Sequence, residues 1–98
     1  MSNLQKNENN EAFSSDVKEQ AESVFENIEN ILNAAGSSMK DVVKAQMFLT
    51  DINDFKKISA VRNKWFSEAK PVSTLAEVSG LSRKGAKIEI EVTAIIKK

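Results

Sequence analysis

The stretch that decides the fold is Lys-Ile-Glu-Ile-Glu-Val-Thr-Ala-Ile-Ile, residues 87–96. Its residues alternate strictly, and one set is apolar and mostly β-branched, which is typical of a strand with one face in a core. The set that we expect to be buried is Ile88, Ile90, Val92, Ala94 and Ile96. The other set carries two acids, Glu89 and Glu91, together with Ile95. This second face is therefore where we look for function.

The composition excludes several kinds of chemistry. The chain has 98 residues, enough for one domain with a single core. Its 14 basic and 14 acidic side chains cancel, so no overall field attracts nucleic acid or an anionic membrane. The chain has neither cysteine nor histidine, which excludes thiolate sites and removes the usual metal ligand and general base. Any catalysis must therefore use carboxylates, hydroxyls, amides, lysine, arginine or backbone groups.

The chain carries no signal for a membrane. No apolar run approaches spanning length, and the amino terminus lacks the basic-then-apolar pattern of a signal peptide. We therefore expect a cytoplasmic protein. Residues 1–13 are rich in Asn, Glu, Gln and Lys, and we interpret them as a loose polar arm. Residues 14–98 then form the folded domain.

The apolar patterns in residues 14–98 predict the order helix, strand, helix, strand, strand, which is an α+β pattern. The first helix begins at Asp16, which has capping-box spacing to Glu19, and ends at Gly36. Its apolar stripe is Val17, Ala21, Val24, Phe25, Ile28, Ile31, Leu32 and Ala35. The second helix is capped by Asp51 and cannot continue through Pro71. Its apolar stripe is Ile52, Phe55, Ile58, Val61, Trp65, Phe66 and Ala69.

Residues 43–49 and 72–79 alternate in the same way as residues 87–96, and we interpret both as strands. Two helices with single apolar stripes cover only one face of a small sheet. We expect the opposite face to carry Lys44, Gln46, Phe48, Ser73, Leu75, Glu77, Glu89, Glu91, Thr93 and Ile95. This mixture of apolar and charged groups favours a subunit interface. The alternative is a solvated outer face with scattered apolar residues.

Several segments of the chain, taken in the order in which they occur, resemble the RidA (YjgF) family. They are Glu19-Gln20, Val24-Phe25-Glu26-Asn27-Ile28, Ala34-Ala35-Gly36, Asp41-Val42-Val43-Lys44, Phe48-Leu49-Thr50-Asp51, Asp54-Phe55, the strand after Pro71, and Ile88-Glu89-Ile90-Glu91 with Ala94. The resemblance implies a chorismate-mutase-like fold, with two helices on one face of the sheet, and a homotrimer with clefts between subunits. It also implies hydrolysis of small metabolites, reactive enamines and imines such as 2-aminoacrylate, to 2-keto acids and ammonia. No metal or organic cofactor is implied.

The resemblance also assigns site residues. Glu89 falls on the glutamate that positions the attacking water. Ser73 replaces the family's carboxylate-binding arginine and supplies no fixed charge, so we expect weak or absent turnover. Ser73 and the adjacent Thr74 are the candidate substrate-binding residues. Ser59 stands where active members commonly have asparagine, and residues 1–13 do not match the family's opening strands with their site tyrosine. We interpret this as either a natural short variant or a sequence that begins inside a longer gene.

Each of these interpretations has an alternative. Glu89 is alternatively a strand acid that is solvated or paired with Lys87 or Lys44. Arg83 and Lys84 either supply a replacement cation from a neighbouring subunit or are simply solvated. Arg62 is expected to be exposed and away from the cleft, and we interpret the adjacent Trp65-Phe66 pair as core or interface.

For the whole protein, the alternative is a non-catalytic member that binds a small metabolite or a partner protein. A ribonuclease or translation inhibitor is a further possibility. The balanced charge and the absence of histidine argue against it, so we expect no nucleic-acid partner.

Overall fold

The computed structural model describes residues 15–96. Within them the elements are α1 (Val17–Ala34), β1 (Val42–Leu49), α2 (Phe55–Trp65), β2 (Val72–Glu77) and β3 (Ile88–Ala94). Short 3-10 turns at Met39–Asp41 and Ile52–Asp54 precede β1 and α2. The predicted order of elements is confirmed, while the predicted polar arm, residues 1–13, lies outside the described residues.

The helix α1 begins and ends where its sequence predicts. Asp16 is the N-cap, and its carboxylate accepts a hydrogen bond from the Lys18 N–H at 2.9 Å. Beyond the other end, Gly36 has φ +84° and the Ser37 N–H donates to the Leu32 carbonyl at 2.8 Å. This is the Schellman arrangement, in which glycine adopts the left-handed conformation at no steric cost.

One core lies between the helices and the sheet. It consists of Val17, Ala21, Val24, Phe25, Ile28, Met39, Val42, Ala45, Met47, Leu49, Ile58, Val61, Phe66, Ile88 and Ile90. Phe25 stacks on Trp65 with ring centroids 5.7 Å apart, and it meets the edge of Phe66 at 5.2 Å. Such aromatic pairs add to the stability that burial alone provides. The Trp65-Phe66 pair was interpreted as core or interface, and the structure places Phe66 in the core and packs the partly buried Trp65 against it.

The strand β1 is the centre of a three-stranded sheet with the order β2-β1-β3. It pairs in parallel with β2 and antiparallel with β3. At its start the predicted alternation is wrong, because Val42 is buried and Val43 is 45% exposed. Val42 pairs with Ala94 and Lys44 pairs with Thr93, so Val43 is skipped. This β-bulge shifts by one residue the side chains that face the core.

The helix α2 is shorter than its apolar stripe predicts. Asp51 caps the 3-10 turn that precedes it, accepting from the Asn53 N–H at 3.0 Å, and Ile52 remains exposed. The helix ends at Trp65, and residues 66–69 form turns that lead to Lys70. Lys70 has φ +47°, the left-handed region that a non-glycine residue seldom adopts.

The strand β2 exposes all of its residues, and its predicted facing is wrong. Ser73 pairs with Ala45 and Leu75 pairs with Met47, and both β1 residues are buried beneath the helices. Paired residues project to the same side of a sheet, so Ser73 and Leu75 lie on the helix-facing side, opposite to Glu89. Alternation shows which residues of a strand share a face. It did not show which face that is, because this edge strand has no buried side.

Candidate functional site

No helix or strand within residues 15–96 covers the side of the sheet that faces away from the helices, and we call this side the open face. The pairing places on it Lys44, Gln46, Phe48, Val72, Thr74, Ala76, Glu89, Glu91 and Thr93. The predicted mixture of apolar and charged groups is present, although β2 contributes its other alternate set of residues. Phe48 lies at the centre, paired with Glu89 on one side and with Ala76 on the other.

Glu89 is half-buried on the open face. Neither of the two ion pairs formed within residues 15–96 includes it. Lys87, an alternative partner for Glu89, directs its ammonium group to the Ser15 carbonyl at 2.5 Å instead. Glu91 is exposed and pairs with Gln46 beside a shallow cavity of about 300 Å³. The structure therefore distinguishes the two acids, and Glu89 is the more enclosed one.

The start of β3 is held by a residue whose role the sequence analysis missed. Gln20 on α1 is only 2% exposed. Its amide donates to the Gly85 carbonyl at 3.0 Å, and its carbonyl oxygen accepts from the Lys87 N–H at 2.8 Å. Since Glu89 lies two residues beyond Lys87, these bonds help to position it. The available signal was a glutamine three residues after Val17, inside the apolar stripe of α1.

Ser73 lies in a separate cleft of about 410 Å³, which we call the α2–β2 cleft. Its lining residues are Arg62, Asn63, Phe66, Ser67, Lys70, Pro71 and Ser73. Arg62 was predicted to be exposed and away from the cleft face. It lies on the helix side of the sheet, opposite to Glu89, but it is half-buried and lines the same cleft as Ser73. The prediction considered only the apolar stripe of α2. It did not anticipate that the end of α2 lies beside the start of β2.

The other predicted site residues are dispersed. Thr74 pairs with Gln46 and lies on the open face, so it does not share a side with Ser73. The Ser59 hydroxyl is 3.4 Å from the Lys56 carbonyl of its own helix. Arg83 and Lys84 line neither of the two clefts described above. Within one chain, the structure therefore does not bring together the residues that were expected to bind one substrate.

Glu22, a carboxylate whose pKa is lowered in the folded protein, lies outside both clefts. Glu22 of α1 accepts hydrogen bonds from the Lys64 ammonium at 2.6 Å and from the Trp65 indole N–H at 2.7 Å. The bond from Lys64, followed by that from Trp65, lowers the pKa of Glu22 below its usual 4.5. This cluster joins α1 to α2, so we assign it a structural role.

Two kinds of feature are absent from the described part of the chain. No three acidic, histidine or cysteine side chains are grouped so that they would hold a metal ion. Neither α1 nor α2 is a helix with the length and apolarity required to span a membrane.

Comparison with known proteins defines the family. Residues 3–96 match the family model described as Endoribonuclease L-PSP. A RutC family protein of Pyrococcus abyssi is 45% identical over 87 residues, which cover 89% of this chain and 68% of that protein. The crystal structure of yeast Mmf1 superposes with a TM-score of 0.85 at 34% identity, covering 91% of this chain and 70% of that one. The chain belongs to the RidA/YjgF family.

One relative of this RidA-family protein carries the name of an enzyme. The 2-iminobutanoate/2-iminopropanoate deaminase of Bos taurus is 39% identical over 79 residues, which cover 81% of this chain and 57% of that protein. The three relatives confirm the family that the sequence segments indicated. The yeast structure confirms the α+β fold. The RidA-family chain spans 57% to 70% of their lengths.

Proposed function

We propose that this RidA-family protein hydrolyses small 2-imino and 2-enamino acids, of the 2-aminoacrylate type, to 2-keto acids and ammonia. The observation that carries the proposal is the position of Glu89, a half-buried carboxylate on the open face and opposite Phe48. The deaminase name of the Bos taurus relative supports the choice of substrate. We expect a low rate, because Ser73 supplies no charge for the substrate carboxylate.

The proposed reaction needs one general base. The imine nitrogen first takes up a proton from solvent. The Glu89 carboxylate then accepts a proton from a water molecule while the water oxygen bonds to the imine carbon and the π electrons of the carbon–nitrogen double bond move to nitrogen. Glu89 then returns its proton to the nitrogen of the resulting carbinolamine. The carbon–nitrogen bond breaks as the hydroxyl proton passes to solvent, so a 2-keto acid and ammonia are the products. An enamine reaches the same protonated imine by gaining its proton at carbon instead of at nitrogen.

We propose that the site is shared between copies of the chain in a homotrimer. Ser73 and Glu89 lie on opposite sides of one sheet, so a substrate that touches both must lie between two chains. Exposed apolar side chains support such assembly, since Val72 is 70% exposed and Ile95 is 57% exposed. Within residues 15–96 no strand pairs with the outer edge of β2, so this edge also offers backbone groups to a second chain.

A coupled assay tests the reaction. A dehydratase that releases 2-aminoacrylate is combined with this protein, and keto-acid formation beyond the spontaneous rate is measured. We expect Glu89→Gln to lower the enzymatic rate at least about 100-fold, whereas the matched change Glu91→Gln leaves it within a few fold. Ser73→Arg should raise the rate by providing a carboxylate partner. Absence of turnover in both Ser73 forms would overturn the proposal.

Mixing two inactive variants tests whether the site is shared. Glu89→Gln removes the base, and Ser73→Trp fills the α2–β2 cleft. If each site takes its base from one chain and its cleft from another, random reassembly restores about a quarter of the sites. A site contained within one chain would recover no activity in the mixture. Light scattering on the same samples measures the number of chains per particle.

A second candidate is a non-catalytic member that binds a small metabolite, and the neutral side chain of Ser73 favours it. Its signature is a ligand that binds in the cleft without turnover in either Ser73 form. Ribonuclease activity appears in the description of the matched family model. RNA cleavage that persists in Glu89→Gln after repeated purification would favour that activity over imine hydrolysis.

A further inference from the structure

The α2–β2 cleft has two positive side chains and no negative one among its lining residues. Arg62 comes from the last turns of α2, and Lys70 comes from the turn that follows. Neither takes part in the ion pairs formed within residues 15–96. The cleft is therefore open to solvent and carries two positive side chains with no acidic residue in its lining, which suits a small anion.

The Arg62 guanidinium is held in place on two sides. Its Nε and Nη2 both donate to the Asn63 side-chain oxygen, at 3.2 and 3.0 Å. Its central carbon lies 5.2 Å from the centre of the Phe55 ring, a cation–π distance. These contacts leave both N–H groups of Nη1 and one of Nη2 for a ligand. A planar, pre-oriented guanidinium with such free donors is suited to a carboxylate.

Lys70 is fixed through its backbone. Its left-handed φ of +47° directly precedes Pro71, and its N–H donates to the Phe66 carbonyl at 3.0 Å. The Ser73 hydroxyl makes only a long contact of 3.4 Å with the Pro71 carbonyl. The rim of the cleft thus presents an ammonium group on a defined turn beside a hydroxyl that is able to donate to a ligand.

We propose that Arg62 and Lys70 bind the carboxylate of a small 2-keto or 2-imino acid, supplying from α2 the charge that Ser73 does not supply from β2. The choice of ligand rests on the proposed function. The cleft places the ligand carboxylate on the helix-facing side of the edge strand, where Glu89 of a second copy would have to approach the reacting carbon. The Ser73 hydroxyl contributes a neutral hydrogen bond.

Binding of sodium 2-oxobutanoate, measured by titration calorimetry, tests the site directly. We expect Arg62→Gln to weaken binding roughly tenfold and Lys70→Gln about three- to fivefold. Lys57→Gln is the matched control, because it removes the same charge from an exposed position of α2 outside the cleft, and it should leave affinity unchanged. Arg62→Lys should restore only part of the affinity, since lysine lacks the planar fork. Butan-2-one, which has no carboxylate, should not bind.

The outcomes separate this site from the proposed reaction. If 2-oxobutanoate does not bind, or if its affinity is unchanged in folded Arg62→Gln and Lys70→Gln, the site is wrong even where turnover is observed. If binding requires both residues but no variant turns over 2-aminoacrylate, the site stands and the proposed reaction fails. Displacement of 2-oxobutanoate by an equal or lower concentration of inorganic phosphate would overturn the carboxylate assignment in favour of a phosphate site.

Discussion

The two strands that flank β1 differ in what supports them. In β3, Ile88 and Ile90 are completely buried and α1 packs directly on the strand. In β2 every residue is exposed, and α2 packs mainly on α1 and on the turn that precedes it. Backbone pairing with β1 therefore holds both strands, but burial in the core holds only β3. A rigid strand is suited to position the proposed base, and an uncovered edge is suited to contact a second copy.

The largest expected effect on the free energy of unfolding comes from truncating one apolar side chain in each of the two strands. Ile90→Ala should lower the free energy of unfolding by about 2–5 kcal/mol, because it leaves a cavity in the core. Leu75→Ala should cost less than about 1 kcal/mol, because Leu75 is 38% exposed on the edge strand. Urea unfolding measures both at a protein concentration where the chain is not assembled. Equal losses would show that β2 is supported as firmly as β3.

An intermediate effect on the free energy of unfolding comes from removing the side chain that hydrogen-bonds at one end of each strand. Gln20→Ala should cost about 1–3 kcal/mol, because it leaves the Lys87 N–H and the Gly85 carbonyl unpaired in a partly buried place. At the end of β2, the Glu77 carboxylate accepts from the Ile52 N–H at 2.9 Å in an exposed place. Glu77→Ala should therefore cost less than about 1 kcal/mol.

Hydrogen exchange of the backbone amides reports where each of these variants loosens the structure. We expect faster exchange at the start of β3 in Gln20→Ala and at the end of β2 in Glu77→Ala. If Gln20→Ala proved no more costly than Glu77→Ala, burial would not be what distinguishes the two strands.

The smallest expected effect concerns the contact between α1 and α2. The pKa of Glu22 is lower in the folded protein than in the unfolded chain, so the unfolded chain binds more protons in acid. The stabilisation by Glu22 is therefore complete above about pH 4.5 and is lost as pH falls through the lower folded pKa. Since the ion pair is partly exposed, Glu22→Gln should cost at most about 1 kcal/mol at neutral pH and progressively less in acid.

Urea unfolding at several pH values measures this difference between wild type and Glu22→Gln. Glu26→Gln serves as the matched control, because Glu26 is an exposed glutamate of the same helix. A difference in the free energy of unfolding that does not depend on pH would show that the charge of Glu22 does not stabilise the contact between α1 and α2.

Much of the fold follows from local patterns in the sequence. The strict alternation of β3 predicted the inward side of Ile88, Ile90, Val92 and Ala94, but it was wrong for Ile96, which lies beyond the end of the strand and is 56% exposed. The Asp16 and Gly36 signals predicted the ends of α1. The candidate base could also be predicted, because Glu89 lies within the Ile-Glu-Ile-Glu run that resembles the family. These features depend on residues close together in the chain, where capping and alternation act directly.

The sequence by itself determined the family, the order of the elements and the acid-bearing face of β3. Only the tertiary structure decided that Val43 is bulged out of β1, that Ser73 lies on the opposite side from Glu89, and that Arg62 shares the cleft with Ser73. The physical reason is the register between distant segments. An edge strand has no buried side of its own, so its facing depends on the strand with which it pairs.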